Sequence, residues 1–361
     1  MKIIPVRLKE NSYRIVVGNN ILAQLPATLK KLNLGRDALI VTNPLINRLH
    51  AGSLERVLKR SGFSVKTFCV PDSETSKSSH ELLKLINNMA VYGAGRNFFI
   101  IAFGGGVVGD LAGFAAAVYK RGIPYIQIPT SFLAQIDSAI GGKTGIDLDR
   151  GKNLVGAYYQ PRVVFTDVAL LKTLSQRQIR NGLAEAVKYG VIVDSGLFQY
   201  IEKNAARLLA GDLKFLTPVV IRSSQIKARV VTLDEKETKG LRMILNFGHT
   251  LGHAIESAGR YALYQHGEAI ALGMQMASDL SFQMGLLAAK DARRIKEVIR
   301  KLGLPSKIKN LSAAAIMDKM RNDKKFKGTL NRFILAVKIG KVKSVSGVSQ
   351  SLIGKVVSSY L

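Results

Sequence analysis

Apolar positions along the chain follow two regimes. Residues 3–8 and 13–17 alternate apolar and polar side chains around a polar turn, the pattern of a strand pair. Short runs rich in β-branched and aromatic residues recur at 38–42, 65–70, 98–103, 125–128 and 163–165, and they predict buried strands. Residues 45–60 and 78–91 carry the clearest helical periodicity between them. Strands alternating with helices predict an α/β region with a mainly parallel, Rossmann-like sheet covered on both faces. From residue 173 the pattern lengthens into Ala-, Leu- and Lys-rich stretches that predict helices over 176–193, 216–232, 250–257 and 268–284. Residues 331–348 alternate again, as a hairpin turning at Ile339-Gly340-Lys341. The expected organisation is an α/β domain over 1–168 and a mostly α-helical domain over 169–361. The connection at 159–171 is the expected hinge, and a cleft between domains is a common place for a site.

Composition narrows the class. With 361 residues and 47% hydrophobic content, the chain has apolar material for two folded domains. Residues 98–119 carry one charge, Asp110, and resemble a membrane span by hydropathy alone. Glycines at 104, 105, 106, 109 and 113 divide that stretch into a strand, a tight loop and a small-residue helix, so no membrane partner is expected. The single cysteine, Cys69, cannot form an intrachain disulfide or build a thiolate metal site. Residues 1–9 lack the apolar region and cleavage site of a secretory signal, and a cytoplasmic setting is expected. The formal charge of +28 raises nucleic acid as a partner, but the basic residues are spread along the chain. Their densest stretch, 319–327, is short and comes with no nucleic-acid-binding signature, so no nucleic-acid partner is expected.

Candidate chemistry concentrates in a few segments. Three of the five histidines fall at His249, His253 and His266. Spacing of four places His249 and His253 on one helix face, and imidazole is the commonest metal-ligating side chain. Each alone reads as an ordinary residue; together they point to a metal or catalytic site. Gly104-Gly-Gly106-Val107-Val-Gly109-Asp110 follows an apolar strand and opens a helix, where bare amides and the helix dipole can hold a pyrophosphate. Packing glycines are the competing explanation, because the acidic ribose partner expected some twenty residues on is missing. Asp72, Glu74 and Lys77 follow another strand and offer ribose contacts or a plain helix cap. Lys143 and Lys152 sit in what reads as glycine-rich loops, suited to an anion or merely surface-exposed. Glu185 and Lys188 share a helix face among apolar neighbours, as an ion pair or as charges buried for a purpose. Lys227 and Arg242 add cations in carboxylate-free stretches. Arg242 precedes Asn246 by one turn and suits a substrate carboxylate or phosphate, or a salt bridge to Asp234 or Glu235.

Collectively these residues resemble the 3-dehydroquinate synthase family of sugar-phosphate cyclases. The resemblance runs nearly the whole chain in order, through Val41-Thr-Asn43, 71–77, 104–110, Tyr119-Lys-Arg121-Gly, Gln135-Ile-Asp137-Ser, Gly141-Gly-Lys143-Thr, Gly151-Lys152-Asn153, 182–190, 246–253, His266-Gly-Glu268 and Asp323-Lys-Lys325. It implies a divalent metal, Zn2+ or Co2+, held by Glu185, His249 and His266, with His253 left for substrate or proton handling. It implies NAD bound by Asn43, Asp72, Glu74, Lys77, Gly105, Gly106, Val107, Asp110, Thr130, Ser131, Lys143, Lys152, Leu170 and Thr173. Substrate and catalytic roles are implied for Lys143, Asp137, Asn153, Lys188, Lys227, Arg242, Asn246 and one of Lys324 or Lys325. Arg121 is implied to reach the neighbouring subunit of a homodimer.

The family reaction converts 3-deoxy-D-arabino-heptulosonate 7-phosphate to 3-dehydroquinate and phosphate. It does so by transient NAD-dependent oxidation, phosphate elimination, reduction and intramolecular aldol closure, on the route to chorismate and the aromatic amino acids. Ser73, Ser131 and Asp147 depart from the usual Gly, Thr and Asn, and residues 234–242 run one residue long, which loosens the placement of Lys227. The alternative is another NAD- and metal-dependent sugar-phosphate cyclase. Metal-dependent alcohol dehydrogenases share the triple-glycine turn but usually continue with Ser.

Overall fold

A computed structural model of the protein describes residues 1–93, 95, 97–148, 151–321 and 331–361. It divides into two compact units, Met1–Thr173 with Lys227–Lys236, and Leu174–Ile226 with Glu237–Leu361. Lys324 and Lys325 lie outside the described residues.

The first unit is built on a seven-stranded sheet. Its strands are β1 (Lys2–Val6), β2 (Tyr13–Gly18), β3 (Asp37–Thr42), β4 (Ser64–Cys69), β5 (Phe98–Gly104), β6 (Tyr125–Pro129) and β9 (Val163–Asp167); β7 (Lys143–Leu148) and β8 (Gly151–Tyr158) form a separate hairpin. The order is β1-β2-β9-β6-β5-β3-β4. Only β1 is antiparallel, pairing Lys2 with Val17 through Val6 with Tyr13; the other pairings are parallel.

Side-chain alternation explains why β3 and β5 read as continuous apolar runs. Ala38, Ile40, Phe99, Ile101 and Phe103 join one core cluster, while Leu39, Val41, Phe98, Ile100 and Ala102 join the other. Chain order reverses between β3 and β5, the topological switch point where open α/β sheets bind ligands beyond the carboxyl ends of their strands. Asp167, at the end of β9, is buried and accepts four backbone N–H groups, from Asn20, Ile21, Leu22 and Ala169, at 2.7–3.1 Å. No helix among the described residues is long and apolar enough to cross a membrane.

Three local expectations are corrected. Residues 45–60 are not one helix: Pro44–Ile46, a π-helical turn at Asn47–Ala51 and Gly52–Arg60 follow one another. Asn43 starts the first by accepting a hydrogen bond from the Ile46 N–H at 2.8 Å. Lys143, Lys152 and Asn153 are not on loops but on β7 and β8. The glycines there permit tight strand pairing, since a Cβ on Gly156 would lie 2.1 Å from the Thr144 carbonyl oxygen. The segment 159–171, expected as the hinge, lies inside the first unit, with β9 at its centre between β2 and β6.

The second unit contains the helices Gln176–Ile192, Ser195–Leu209, His249–Ala258, His266–Gln283, Ala289–Lys301, Ala313–Arg321 and Gln350–Ser358, with the hairpin of β10 (Arg332–Lys338) and β11 (Lys341–Ser346). Asn331 fastens the open end of that hairpin, donating to the Val348 carbonyl at 2.7 Å and accepting from its N–H at 2.8 Å. The helices His249–Ala258 and His266–Gln283 meet backbone to backbone. A Cβ on Gly273 would lie 1.9 Å from the Gly248 carbonyl oxygen, and one on Gly252 would lie 2.7 Å from Ile270 Cδ1. Gly267 likewise abuts Asn181 of the helix Gln176–Ile192, whose side-chain oxygen accepts the Gly267 N–H.

Because backbone cannot swing away as a side-chain tip can, Gly273→Ala is expected to cost about 1–3 kcal/mol or more. A thermal melt showing a Tm several degrees below the parent is the expected result, and an unchanged Tm would contradict the close crossing.

Candidate functional site

In the second unit, three donor atoms converge. Glu185 projects from the middle of Gln176–Ile192, a helix started by a capping box of Ser175 and Gln178. His249 opens its helix immediately after Gly248, whose φ of +78° suits a residue without a side chain. His266 opens the next helix, where Gln265 and Glu268 form a second capping box. The Nε2 atoms of His249 and His266 lie 3.5 and 3.4 Å from Glu185 Oε1. Ligands of a tetrahedral zinc ion at bond lengths near 2.0–2.1 Å stand about 3.3–3.4 Å apart, and the two histidine–carboxylate separations match that spacing. Glu185, His249 and His266 offer atoms all within 4.8 Å of one another.

The surroundings bias these groups toward ligation. His249 Nδ1 is 3.1 Å from the Phe247 carbonyl, a contact in which the ring donates and leaves Nε2 its lone pair. His266 Nδ1 faces Glu256 Oε1 at 3.4 Å. Burial works to lower the His266 pKa, but hydrogen bonds and charge from Glu185 and Glu256 outweigh it and push the imidazole up to about 10. A pocket that holds a proton so firmly favours positive charge, and a metal would bind by displacing that proton.

The remaining candidates of this unit lie nearby in sequence or in space. His253 is exposed, its ring centroid 5.2 Å from that of His249 and 6.1 Å from that of His266, and it also belongs to a second three-donor group with Glu256 and His266. Lys188, only 2% exposed, pairs with Glu185 one turn back on the same helix. Arg242 and Asn246 share the short 3₁₀ helix Leu241–Asn246. The buried Arg242 has its Nε 3.2 Å from Glu237 Oε1, an acid of its own unit.

In the first unit, the remaining candidates gather at the carboxyl ends of strands. Asn43 follows β3 and donates to Asp72 Oδ1 at 2.7 Å; Asp72, Glu74 and Lys77 follow β4. Gly105, Gly106, Val107 and Asp110 follow β5, Thr130 and Ser131 follow β6, and Leu170 and Thr173 follow β9. The helix Gly106–Val118 has no side-chain cap. A Cβ on Gly105 would point toward Ser131 Oγ at 3.5 Å, and one on Gly106 toward Ser138 Oγ at 3.1 Å. The glycines keep open a cradle at a helix N-terminus, the geometry that suits a pyrophosphate. Gly109 and Gly113 serve packing instead, since side chains there would strike Gln127 and Thr144 at 2.8 and 2.5 Å.

Lys77 is almost fully buried and donates to Asp110 Oδ2 at 2.8 Å and to Asn153 Oδ1. Burial alone would lower its pKa, but Asp110, with Glu74 and Asp147, raises it. Burial pushes the Asp110 carboxyl up to about 6 against the pull of Lys77. Lys152 reaches Glu74 at 3.0 Å, and Lys227 pairs with Asp137 at 2.6 Å. Lys143 is exposed at the start of β7. Lys120 and Arg121 both adopt left-handed backbone, φ +48° and +63°, ahead of Gly122.

Sequence reasoning missed Glu256, Glu237 and the Arg177–Glu268 pair, whose two bonds of 2.7 and 2.8 Å tie the helix of Glu185 to that of His266. The signal for Glu256 was present: residues 249, 253 and 256 follow the i, i+4, i+7 spacing of one helix face.

Known proteins resemble the chain over nearly its whole length. The families described as 3-dehydroquinate synthase N-terminal and 3-dehydroquinate synthase C-terminal match residues 67–181 and 182–326. The 3-dehydroquinate synthase of Geotalea uraniireducens is 43% identical over 355 residues, covering 98% of both chains. Among solved structures, 2-deoxy-scyllo-inosose synthase complexed with carbaglucose-6-phosphate, NAD+ and Co2+ superposes with a TM-score of 0.91 at 26% identity, covering 100% of both chains. The 2-epi-5-epi-valiolone synthase of Streptomyces hygroscopicus subsp. jinggangensis with NAD+ and Zn2+ gives 0.90 at 29% identity, covering 98% of both. On its matched domains and its near-complete alignment with such relatives, the chain belongs to the 3-dehydroquinate synthase family.

Proposed function

We infer that the protein converts 3-deoxy-D-arabino-heptulosonate 7-phosphate to 3-dehydroquinate and phosphate, as a carbon–oxygen lyase of chorismate and aromatic amino-acid biosynthesis. It uses NAD and one divalent ion, Zn2+ or Co2+. The observation that carries this reading is the convergence of Glu185 with the Nε2 atoms of His249 and His266 at 3.4–3.5 Å in a chain of this family. When bound, NAD takes up and returns a hydride while the ion acts as a Lewis acid toward a substrate hydroxyl.

The chain's own residues bind and orient. Glu185, His249 and His266 hold the ion, and the amides at Gly105 and Gly106 cradle the pyrophosphate. The buried Lys77–Asp110 pair fixes the floor of the NAD site and, through Lys77, the Asn153 side chain. Asn43, Asp72, Glu74, Thr130, Ser131, Lys152, Leu170 and Thr173 complete that site. Lys188, Lys227, Arg242 and Asn246 present cations and an amide to the substrate's phosphate and carboxylate, with Lys143, Asp137 and Asn153. The forked guanidinium of Arg242, held inside the protein, matches a carboxylate better than a neutral sugar would. His253, exposed beside the two ligand rings, is placed to pass a proton to or from substrate. Lone Cys69 suits a cytoplasmic setting. Arg121 reaches the neighbouring active site of a homodimer; its exposed position on a left-handed turn supports that role.

Three outcomes are expected. Purified protein given substrate, NAD and zinc releases phosphate and 3-dehydroquinate in equal amounts with no lasting NADH absorbance. Lasting NADH would mean an alcohol dehydrogenase, and turnover of another sugar phosphate alone would mean a related cyclase. His249→Ala loses bound zinc by elemental analysis and falls to background turnover, while NAD affinity and the far-ultraviolet dichroism persist. Full turnover without metal would overturn the assignment. This substitution is cleaner than Glu185→Gln, which also strips Lys188 of its buried counter-charge. Mixing Arg121→Ala with His249→Ala subunits restores about a quarter of parental activity, because half the dimers are mixed and each carries one complete site; no recovery would place Arg121 in its own subunit's chemistry.

A further inference from the structure

The helix His249–Ala258 carries a third functional side chain on the face that bears His249 and His253. Glu256 is 7% exposed, a buried carboxylate inside a helix whose other buried neighbours include Ala254 and Ile255. Burying such a charge costs several kcal/mol unless a partner is held against it. One such partner is His266, whose Nδ1 lies 3.4 Å from Glu256 Oε1 while its Nε2 lies 3.4 Å from Glu185 Oε1. The two nitrogens of one ring thus face two carboxylates with different jobs.

We propose that Glu256 is the positioning residue of the metal site: it accepts the Nδ1–H of His266, fixing the tautomer and ring plane that present the Nε2 lone pair to the ion. This rests on the assignment of Glu185, His249 and His266 as metal ligands. Orienting carboxylates of this kind strengthen an imidazole as a ligand and limit its rotation. His249 has a separate anchor, the Phe247 carbonyl at 3.1 Å from its Nδ1. Each histidine ligand is therefore held from behind, one by backbone and one by Glu256. Among these anchors only the second can be altered by mutation. His266 also has the greater freedom to lose, since 30% of its side chain is exposed against 11% for His249.

The test uses the full-length protein in parent, Glu256→Gln, Glu256→Leu and His249→Ala forms. Zinc affinity is measured by chelator competition, and visible spectra are recorded with Co2+. Glu256→Leu is expected to weaken zinc binding roughly 10–100-fold and to alter the Co2+ d–d bands, with NAD affinity unchanged. Glu256→Gln, whose amide oxygen still accepts the Nδ1–H, is expected to stay within about threefold of the parent, a rescue that a packing role would not produce. Parent-like zinc affinity and spectrum in Glu256→Leu would overturn the proposal. So would an equal loss in both Glu256 variants, which would make Glu256 a ligand. If the parent itself binds no metal, and so matches His249→Ala, the ligand assignment fails instead.

Discussion

The site depends on a contact between two backbones. Helices normally pack with their axes 8–10 Å apart because side chains stand between them. Gly248 and Gly252 on one side and Gly273 on the other remove those side chains. The gap they leave is so small that a single methyl group at Gly273 would sit 1.9 Å from a carbonyl oxygen. One consequence is rigidity, as neither helix can slide without a backbone clash. The second is that two histidines opening different helices are brought into register at one point. Gly267 repeats the device against Asn181, and the Arg177–Glu268 pair adds a charged clasp, so the helix bearing Glu185 is tied into the same arrangement.

Electrostatics then selects what fills that point. The chain is strongly basic, with 53 Lys and Arg residues against 25 Asp and Glu, yet two of its few acids, Glu185 and Glu256, are buried around one imidazole. Lys188 offsets part of that negative charge from the opposite side of Glu185. The pronounced rise in the His266 pKa expresses the same preference for a positive occupant. In the first unit the logic is reversed: Lys77 is the buried charge, and Asp110 and the Asn153 amide are gathered around it. Both units bury charged groups, and both supply close partners for them.

Much of this was legible in the sequence because it rests on period and spacing. The strand runs at 38–42 and 98–103 are apolar on both faces, which is what a parallel sheet with two cores requires. The histidines at i and i+4 declared a shared face. Glycine was harder to read. At 105 and 106 it opens a cradle, at 109 and 113 it lets a helix lie close to its neighbours, and at 145 and 156 it pairs strands, so the lysine-bearing segments 143–145 and 151–153 read as loops although they lie on paired strands. Two near partners were also hidden: Glu237 lies five residues before Arg242 and Glu256 ten before His266, and both pairings are set by how the intervening chain folds back. The π-helical turn at Asn47–Ala51 leaves no mark in a pattern that is otherwise helical from 45 to 60.

The most direct test of the account is the position of the ion itself. Anomalous diffraction at the zinc edge from metal-loaded crystals should give one peak about 2.0–2.2 Å from a Glu185 carboxylate oxygen and from the Nε2 atoms of His249 and His266. His253 should stand outside the coordination sphere, and Glu256 should lie behind His266 on its Nδ1 side. A peak instead among His253, Glu256 and His266, the other group of such donors among the described residues, would contradict it.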